Sequence, residues 1–150
     1  MADVLGTGRD EVQFRFRDDE MADSPQVTVD AFLGQTNANA VRIEPCDDAR
    51  ALLPHLARIA LVEVNFPGFG DGRGYSSARL LREAGYNGEL RAVGDVLVDY
   101  LGHMRRCGFD SFAPAVTMDE ADAEAAFNRW PQSSQATGAG RVPIGRLRPG

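Results

Sequence analysis

Lysine is absent from the 150-residue chain, and all 16 cationic side chains are arginine. That excludes a lysine Schiff base and the lysine of a phosphate-binding P-loop. Arginine favours forked recognition of carboxylate-like or phosphate-like anions, although a genome-wide codon bias towards arginine accounts for the same count. Cysteine and histidine are scarce, with Cys46, Cys107, His55 and His103 the whole inventory. No CxxC pair occurs, so neither a zinc nor an iron–sulfur centre is expected from this chain alone. The two thiols are expected to be free and buried. No apolar run approaches the ~20 residues of a membrane helix. The start, Met1-Ala2-Asp3-Val4, lacks the basic-then-apolar pattern of a leader. A cytoplasmic protein is the expectation. Excess positive charge is missing too: the net charge of −6 argues against a nucleic-acid or anionic-membrane partner.

What the chain does have is a glycine-dense stretch, Asn65-Phe66-Pro67-Gly68-Phe69-Gly70-Asp71-Gly72-Arg73-Gly74-Tyr75-Ser76, with four of the 16 glycines in seven residues. Such density marks backbone that needs positive φ or close approach. Its glycines alternate, so the GxGxxG dinucleotide fingerprint is not met. Around it the pattern is regular. Ala40 to Glu44 reads as a strand stopped by Pro45. Asp47 or Asp48 can cap a helix with Leu52, Leu53 and Leu56 on one face, kinked at Pro54. Ile59 to Val64 is almost continuously apolar, as in a strand buried on both faces. Ser76 or Ser77 can cap the next helix, which Gly85 stops. Glu89 to Val93 is a short strand. Gly94-Asp95 then opens a helix carrying Leu97, Tyr100, Leu101 and Met104 on its core stripe. Phe109 to Ala115 is a fourth strand, and Thr117 with Glu120 makes a capping box for a helix bearing Ala123, Ala126, Phe127 and Trp130. Upstream, Val12, Phe14 and Phe16 alternate with Gln13, Arg15 and Arg17, a half-buried edge strand.

Strands alternating with helices predict a single α/β domain over residues 11–130, of about four βα units with a mainly parallel sheet. The sheet is either an open three-layer one or a half-barrel in sequential order. Residues 1–10 and 131–150 read as flexible termini. In such units each helix begins at the carboxyl end of its strand, so the glycine stretch and the Gly94-Asp95 turn share one sheet edge. Ligands of parallel sheets bind there. Two helix N-termini with Asp71, Arg73, Tyr75, Ser76, Arg79, Gly94 and Asp95 make a candidate small-anion site. The competing reading is structural: Asp71 and Arg73 brace the loop, Asp95 only caps a helix, and Arg79 belongs to a solvated face. His103 is placed on the outer face of its helix with Asp99 and Arg106. Cys107, at a helix C-terminus, is placed where the dipole disfavours a thiolate. Gly74-Tyr75-Ser76-Ser77-Ala78 stands too far from its strand for a nucleophile elbow.

The run from Phe66-Pro67-Gly68-Phe69-Gly70-Asp71-Gly72-Arg73-Gly74-Tyr75-Ser76-Ser77-Ala78-Arg79 to Glu83 resembles the bacterial domain of unknown function 934 family. So do Gly88-Glu89-Leu90-Arg91-Ala92-Val93-Gly94-Asp95-Val96-Leu97 and Arg105-Arg106-Cys107-Gly108-Phe109-Asp110-Ser111-Phe112. The resemblance spans about residues 40–115 and departs at Asp99-Tyr100, where the family often has Asp-Gln. Members are described as oxidoreductases of sulfite reduction. The resemblance therefore implies an accessory role in assimilatory sulfite or sulfate reduction, with sulfite reductase or another sulfate-assimilation protein as partner. Whether the chain is itself an enzyme stays open. No cofactor of its own is expected, so a redox role implies a borrowed flavin, haem or partner. A non-catalytic homodimeric scaffold is the third reading.

Overall fold

The computed structural model describes residues 4–7, 12–22, 24–35, 37–68, 72–129 and 145–146, with main chain alone at 4–7 and 145–146. Five parallel strands form the frame: β3 (Pro25–Thr28), β4 (Ala40–Ile43), β5 (Leu61–Phe66), β6 (Glu89–Gly94) and β7 (Ser111–Pro114). They lie side by side in chain order, each parallel to its neighbour. The connections are α1 (Val29–Leu33), a 3-10 helix (Ala49–Arg58), α2 (Arg73–Glu83), and a 3-10 turn (Val98–Tyr100) running into α3 (Leu101–Cys107). The last helix, α4 (Glu120–Asn128), follows β7. The mixed α/β architecture expected from the sequence is present, with one βα unit more than the periodicity reveals. Three short antiparallel strands extend the sheet: β1 (Val4–Thr7) on β3, β2 (Phe14–Arg15) on β7, and β8 (Gly145–Arg146) on β2.

Sequential strand order separates the two architectures the sequence leaves open. Right-handed crossovers between chain-order neighbours put every helix on one face. Consecutive helices accordingly touch: the 49–58 helix with α2, α2 with α3, and α3 with α4. Beneath them lies one apolar core, in which Val41, Val62, Leu90 and Phe112 of the strands meet Leu52, Leu81, Met104 and Phe127 of the helices. A much smaller cluster, Val12, Val93 and Ala113 with Met21, lies apart from it. Val93 and Ala113 are odd-numbered in strands whose even-numbered residues enter the main core, so this cluster occupies the helix-free face.

Val12, in the segment that joins the outer strands, packs with Val93 and Ala113 of the helix-free face. From β1 to β2 the sheet order counts six strand spacings, or ~29 Å if the sheet were flat, at ~4.8 Å each. Thr7 and Phe14, which end and begin those strands, are separated by seven residue steps, a reach of at most ~25 Å. The sheet must therefore curl so that its edges approach. This is the half-barrel arrangement, with helices outside and a trough inside.

Local boundaries move for identifiable reasons. Asp48 caps the helix after β4 as expected, its Oδ1 accepting from Arg50 N at 3.0 Å. With Pro54 inside, that segment is 3-10 rather than α-helical, as fits a proline that removes a donor and clashes with the turn before it. Thr117 is not the cap of α4: Asp119 is, accepting from Asp122 N at 2.9 Å. Tyr100, expected in the core, is 37% exposed because the chain enters α3 through a 3-10 turn that rotates it outward. Cys46, expected buried, is exposed in the turn after β4, while Cys107 is buried. Trp130 lies outside the described residues. Among the described residues no helix is long and apolar enough to cross a membrane.

Candidate functional site

The carboxyl edge of the parallel strands is where the predicted residues should meet. Strand β5 runs on to Phe66, and α2 already begins at Arg73. Arg73, Tyr75 and Ser76 are therefore residues of the first helical turn, not of a loop. The N-cap is Gly72, not Ser76 or Ser77, and it brings no side chain to the first-turn amides. Gly74 has a packing role. A Cβ there would stand 2.6 Å from the Phe66 ring and 3.0 Å from Val64, so its absence lets α2 sit directly on β5. Gly68 and Gly72 meet nothing within 4 Å and have ordinary φ.

Opposite the start of α2 stands the turn after β4. Between them lies an open cleft of about 190 Å³ lined by Arg73, Ser76, Ser77 and Leu80 on one wall and by Pro45, Asp47, Asp48 and Ala49 on the other. Asp47 Oδ2 accepts from Glu44 N at 2.8 Å. Asp48 is committed to Arg50, whose Nη2 lies 3.0 Å from Oδ2. The cleft thus has one cationic, hydroxyl-bearing wall and one carboxylate wall.

The remaining predicted residues do not join it. Gly94 and Asp95 do not open a helix, since α3 begins at Leu101. Gly94 has φ +92°, and a Cβ on it would meet Asn65 Oδ1 at 2.6 Å and the Phe66 carbonyl oxygen at 2.7 Å. Asp95 N–H donates to that same Phe66 oxygen at 2.7 Å, and Ala115 N–H donates to Gly94 O at 2.8 Å. These turn donors are spent within the fold, so the second helix N-terminus imagined for the anion site is not there. Tyr75 turns sideways, its ring 5.2 Å from Phe66 and 4.8 Å from His103. Burial pushes its hydroxyl pKa up. Arg79 is exposed and does not line the cleft; its charge lies near Cys107 and His103 of α3. His103, expected on an outer face, is half-buried in the α2–α3 seam, with Nε2 3.7 Å from Cys107 Sγ. Its pKa is lowered by burial and by the charges of Arg106 and Arg79. Asp71 lies outside the described residues.

The sequence reading missed the floor of the trough. Strands β4, β5 and β6 each place ionic side chains on the helix-free face in matching register: Arg42 beside Glu63, and Glu63 beside Arg91. Glu63 accepts from Arg42 Nε at 3.0 Å, from Gln26 Nε2 at 2.9 Å and from Arg91 Nη1 at 3.3 Å. Arg91, fully buried, also donates to Glu89 at 2.8 Å and to Ser111 Oγ at 3.2 Å. Glu89 accepts from Arg15 Nη2 at 3.0 Å. The chain of charges continues from Arg15 to Asp19, Arg17, Asp110 and Arg82. Burial raises the Glu89 pKa, but hydrogen bonds from Arg15 and the charge of Arg91 outweigh it, and the net shift is downward. Glu89 is therefore a structural anion, not a poised base. One signal was available. Glu63 and Arg91 interrupt apolar strands at the same register with opposite signs.

Over residues 40–145 the chain matches the family model described as "Bacterial protein of unknown function (DUF934)". That is most of its length, and the chain belongs to this family. No curated protein and no solved structure matches it.

Proposed function

We propose that this member of the DUF934 family is an accessory protein of assimilatory sulfite or sulfate reduction in the cytoplasm, and that it binds a small oxyanion in the cleft before α2. The observation that carries the reading is the first turn of α2. Its N-cap, Gly72, has no side chain to set against the first-turn amides, and Arg73 and Ser76 line the cleft beside them. Helix N-termini with an adjacent guanidinium suit oxyanions. The facing Asp47 selects among them, Asp48 being committed to Arg50. A fully ionised dianion is repelled, whereas a protonated oxyanion presents an O–H that a carboxylate can accept. Sulfite and phosphate, which keep a proton near neutrality, are therefore favoured over sulfate. The pathway is carried over from the resemblance read in the sequence, and the partner it implies is sulfite reductase or a neighbouring sulfate-assimilation protein.

Titration calorimetry with sulfite, phosphate and sulfate tests the anion part. Sulfite and phosphate should bind, and Arg73→Ala should weaken them roughly tenfold, the scale of one charge-assisted hydrogen bond. Absence of binding to all three sinks it. A pull-down with sulfite reductase tests the partner. Growth of a deletion strain tests the step: rescue by sulfide but not by sulfite is expected.

A further inference from the structure

The α2–α3 seam holds a group of reactive side chains that the cleft does not use. Cys107 ends α3, and its sulfur lies 3.7 Å from His103 Nε2. Arg79, on α2, brings its charge close to both the sulfur and the imidazole. Tyr75, also on α2, packs its ring against the imidazole, centroids 4.8 Å apart and planes tilted by 48°. A thiol, a base, a cation and a ring packed against the base converge from two helices. The base is kept neutral, since burial and the charges of Arg106 and Arg79 lower the His103 pKa. With its proton on Nδ1, its Nε2 is free to accept the thiol proton. The helix dipole at the end of α3 works against a thiolate, and Arg79 supplies the opposing full charge. Cys107 is only 2% exposed. That shuts out bulky electrophiles, while Arg79, close by on α2, is exposed.

We infer that Cys107 is an oxidation site, its thiol served by His103 as base, with the charge of Arg79 nearby, for attack on hydrogen peroxide. The step balances as follows. The Cys107 Sγ proton moves to His103 Nε2. The sulfur attacks one peroxide oxygen, an S–O bond forms and the O–O bond breaks. The departing oxygen takes the proton from His103 and leaves as water. The sulfur loses two electrons and becomes a sulfenic acid, and the peroxide is reduced.

Cys46 is an internal control, because it is an exposed thiol. On the full chain, reduced and then treated with substoichiometric hydrogen peroxide, sulfenic acid is trapped with a dimedone reagent and located by mass spectrometry. A parallel sample is labelled with a bulky maleimide. The expected result is an inverted order: Cys107 oxidises first with peroxide, and Cys46 labels first with maleimide. In His103→Gln the Cys107 oxidation rate should fall by roughly tenfold or more, the lower range for loss of a positioned base. Arg79→Gln should slow it in the same sense, and Cys46 should be unchanged in both. Circular dichroism establishes that the variants are folded. Oxidation of Cys46 ahead of Cys107, or an unchanged Cys107 rate in folded His103→Gln, overturns the inference.

Discussion

At the scale of single residues, Gly94 is the position the fold tolerates least. It combines φ +92° with two oxygens, Asn65 Oδ1 and Phe66 O, within 2.7 Å of where a Cβ would stand. The backbone conformation alone costs a non-glycine residue ~1–3 kcal/mol, and backbone oxygen cannot move aside as a side chain can. Gly94→Ala is expected to lose at least that much in urea unfolding. Gly68→Ala, with open space around it and no capping role, should change stability by no more than about 0.5 kcal/mol, the usual range for a surface substitution. The sequence made the two positions look equivalent, or even favoured the denser run. Glycine density did not rank them, because the need for glycine arises from what packs nearby. At Gly94 that is the end of β5, 28 residues upstream of it at Phe66. Arg79 and Tyr75 were misplaced for a similar reason. Their helix was known, but which face α3 covers was not readable from residues 73–79 alone.

At the scale of elements, strand and helix alternation was legible because apolar runs and caps are local. The partnership of strands was legible only in part. A buried charge in β5 looks like an exception to an apolar pattern until β4 and β6 supply Arg42 and Arg91 on either side. Those partners are 21 and 28 residues away. The ladder makes a firm prediction. Arg91→Leu removes the fully buried cation shared by Glu63 and Glu89 and leaves both short of a partner. Removal of one member of a buried pair costs ~3–5 kcal/mol, and chemical denaturation should report a loss of that order. The ladder also sets a pH dependence. The Glu89 pKa is depressed in the folded state. Its contribution is present above the ordinary carboxylate range and is lost as pH falls through the lower, folded value. Glu89→Gln should therefore be less stable than wild type at neutral pH, with the gap closing as pH drops below the usual range of glutamate. Asp110 runs the other way. Burial raises its pKa against the pull of Arg17 and Arg82, so its neutralisation at low pH relieves a cost instead of adding one. A gap that stays constant from neutral to acid pH would show that Glu89 is not ionised in the fold.

At the scale of the whole molecule, the family match begins at residue 40, yet the structure is not closed there. Phe14 and Phe16 reach the helix-side core, with ring centroids 5.6 Å and 4.9 Å from Phe127. Arg105 lies over the Phe16 ring at 4.3 Å. On the other face Arg15 and Gln26 complete the hydrogen bonding of Glu89 and Glu63. Strands β3 and β2 flank the two sides of the β4–β7 block. Without them the parallel strands β4 and β7 become bare edges, and bare edges pair with other chains. The N-terminal segment is thus part of the domain and holds both layers at once. Period-two alternation at residues 12–17 announced a strand, but not that its arginine side would be buried, since the ladder that receives Arg15 is built by β6. A chain starting at residue 40 should accordingly lose more than its tail. It exposes Phe112 and Phe127 on one face and strands the Glu89 charge on the other, costs that together approach the ~5–15 kcal/mol total stability of a domain. The expected outcome is a fragment without a cooperative thermal transition, eluting as aggregate in size exclusion, while the full chain melts in one step. A monomeric 40–150 fragment with a sharp transition would mean that the curled sheet holds itself together without the segment that bridges its edges.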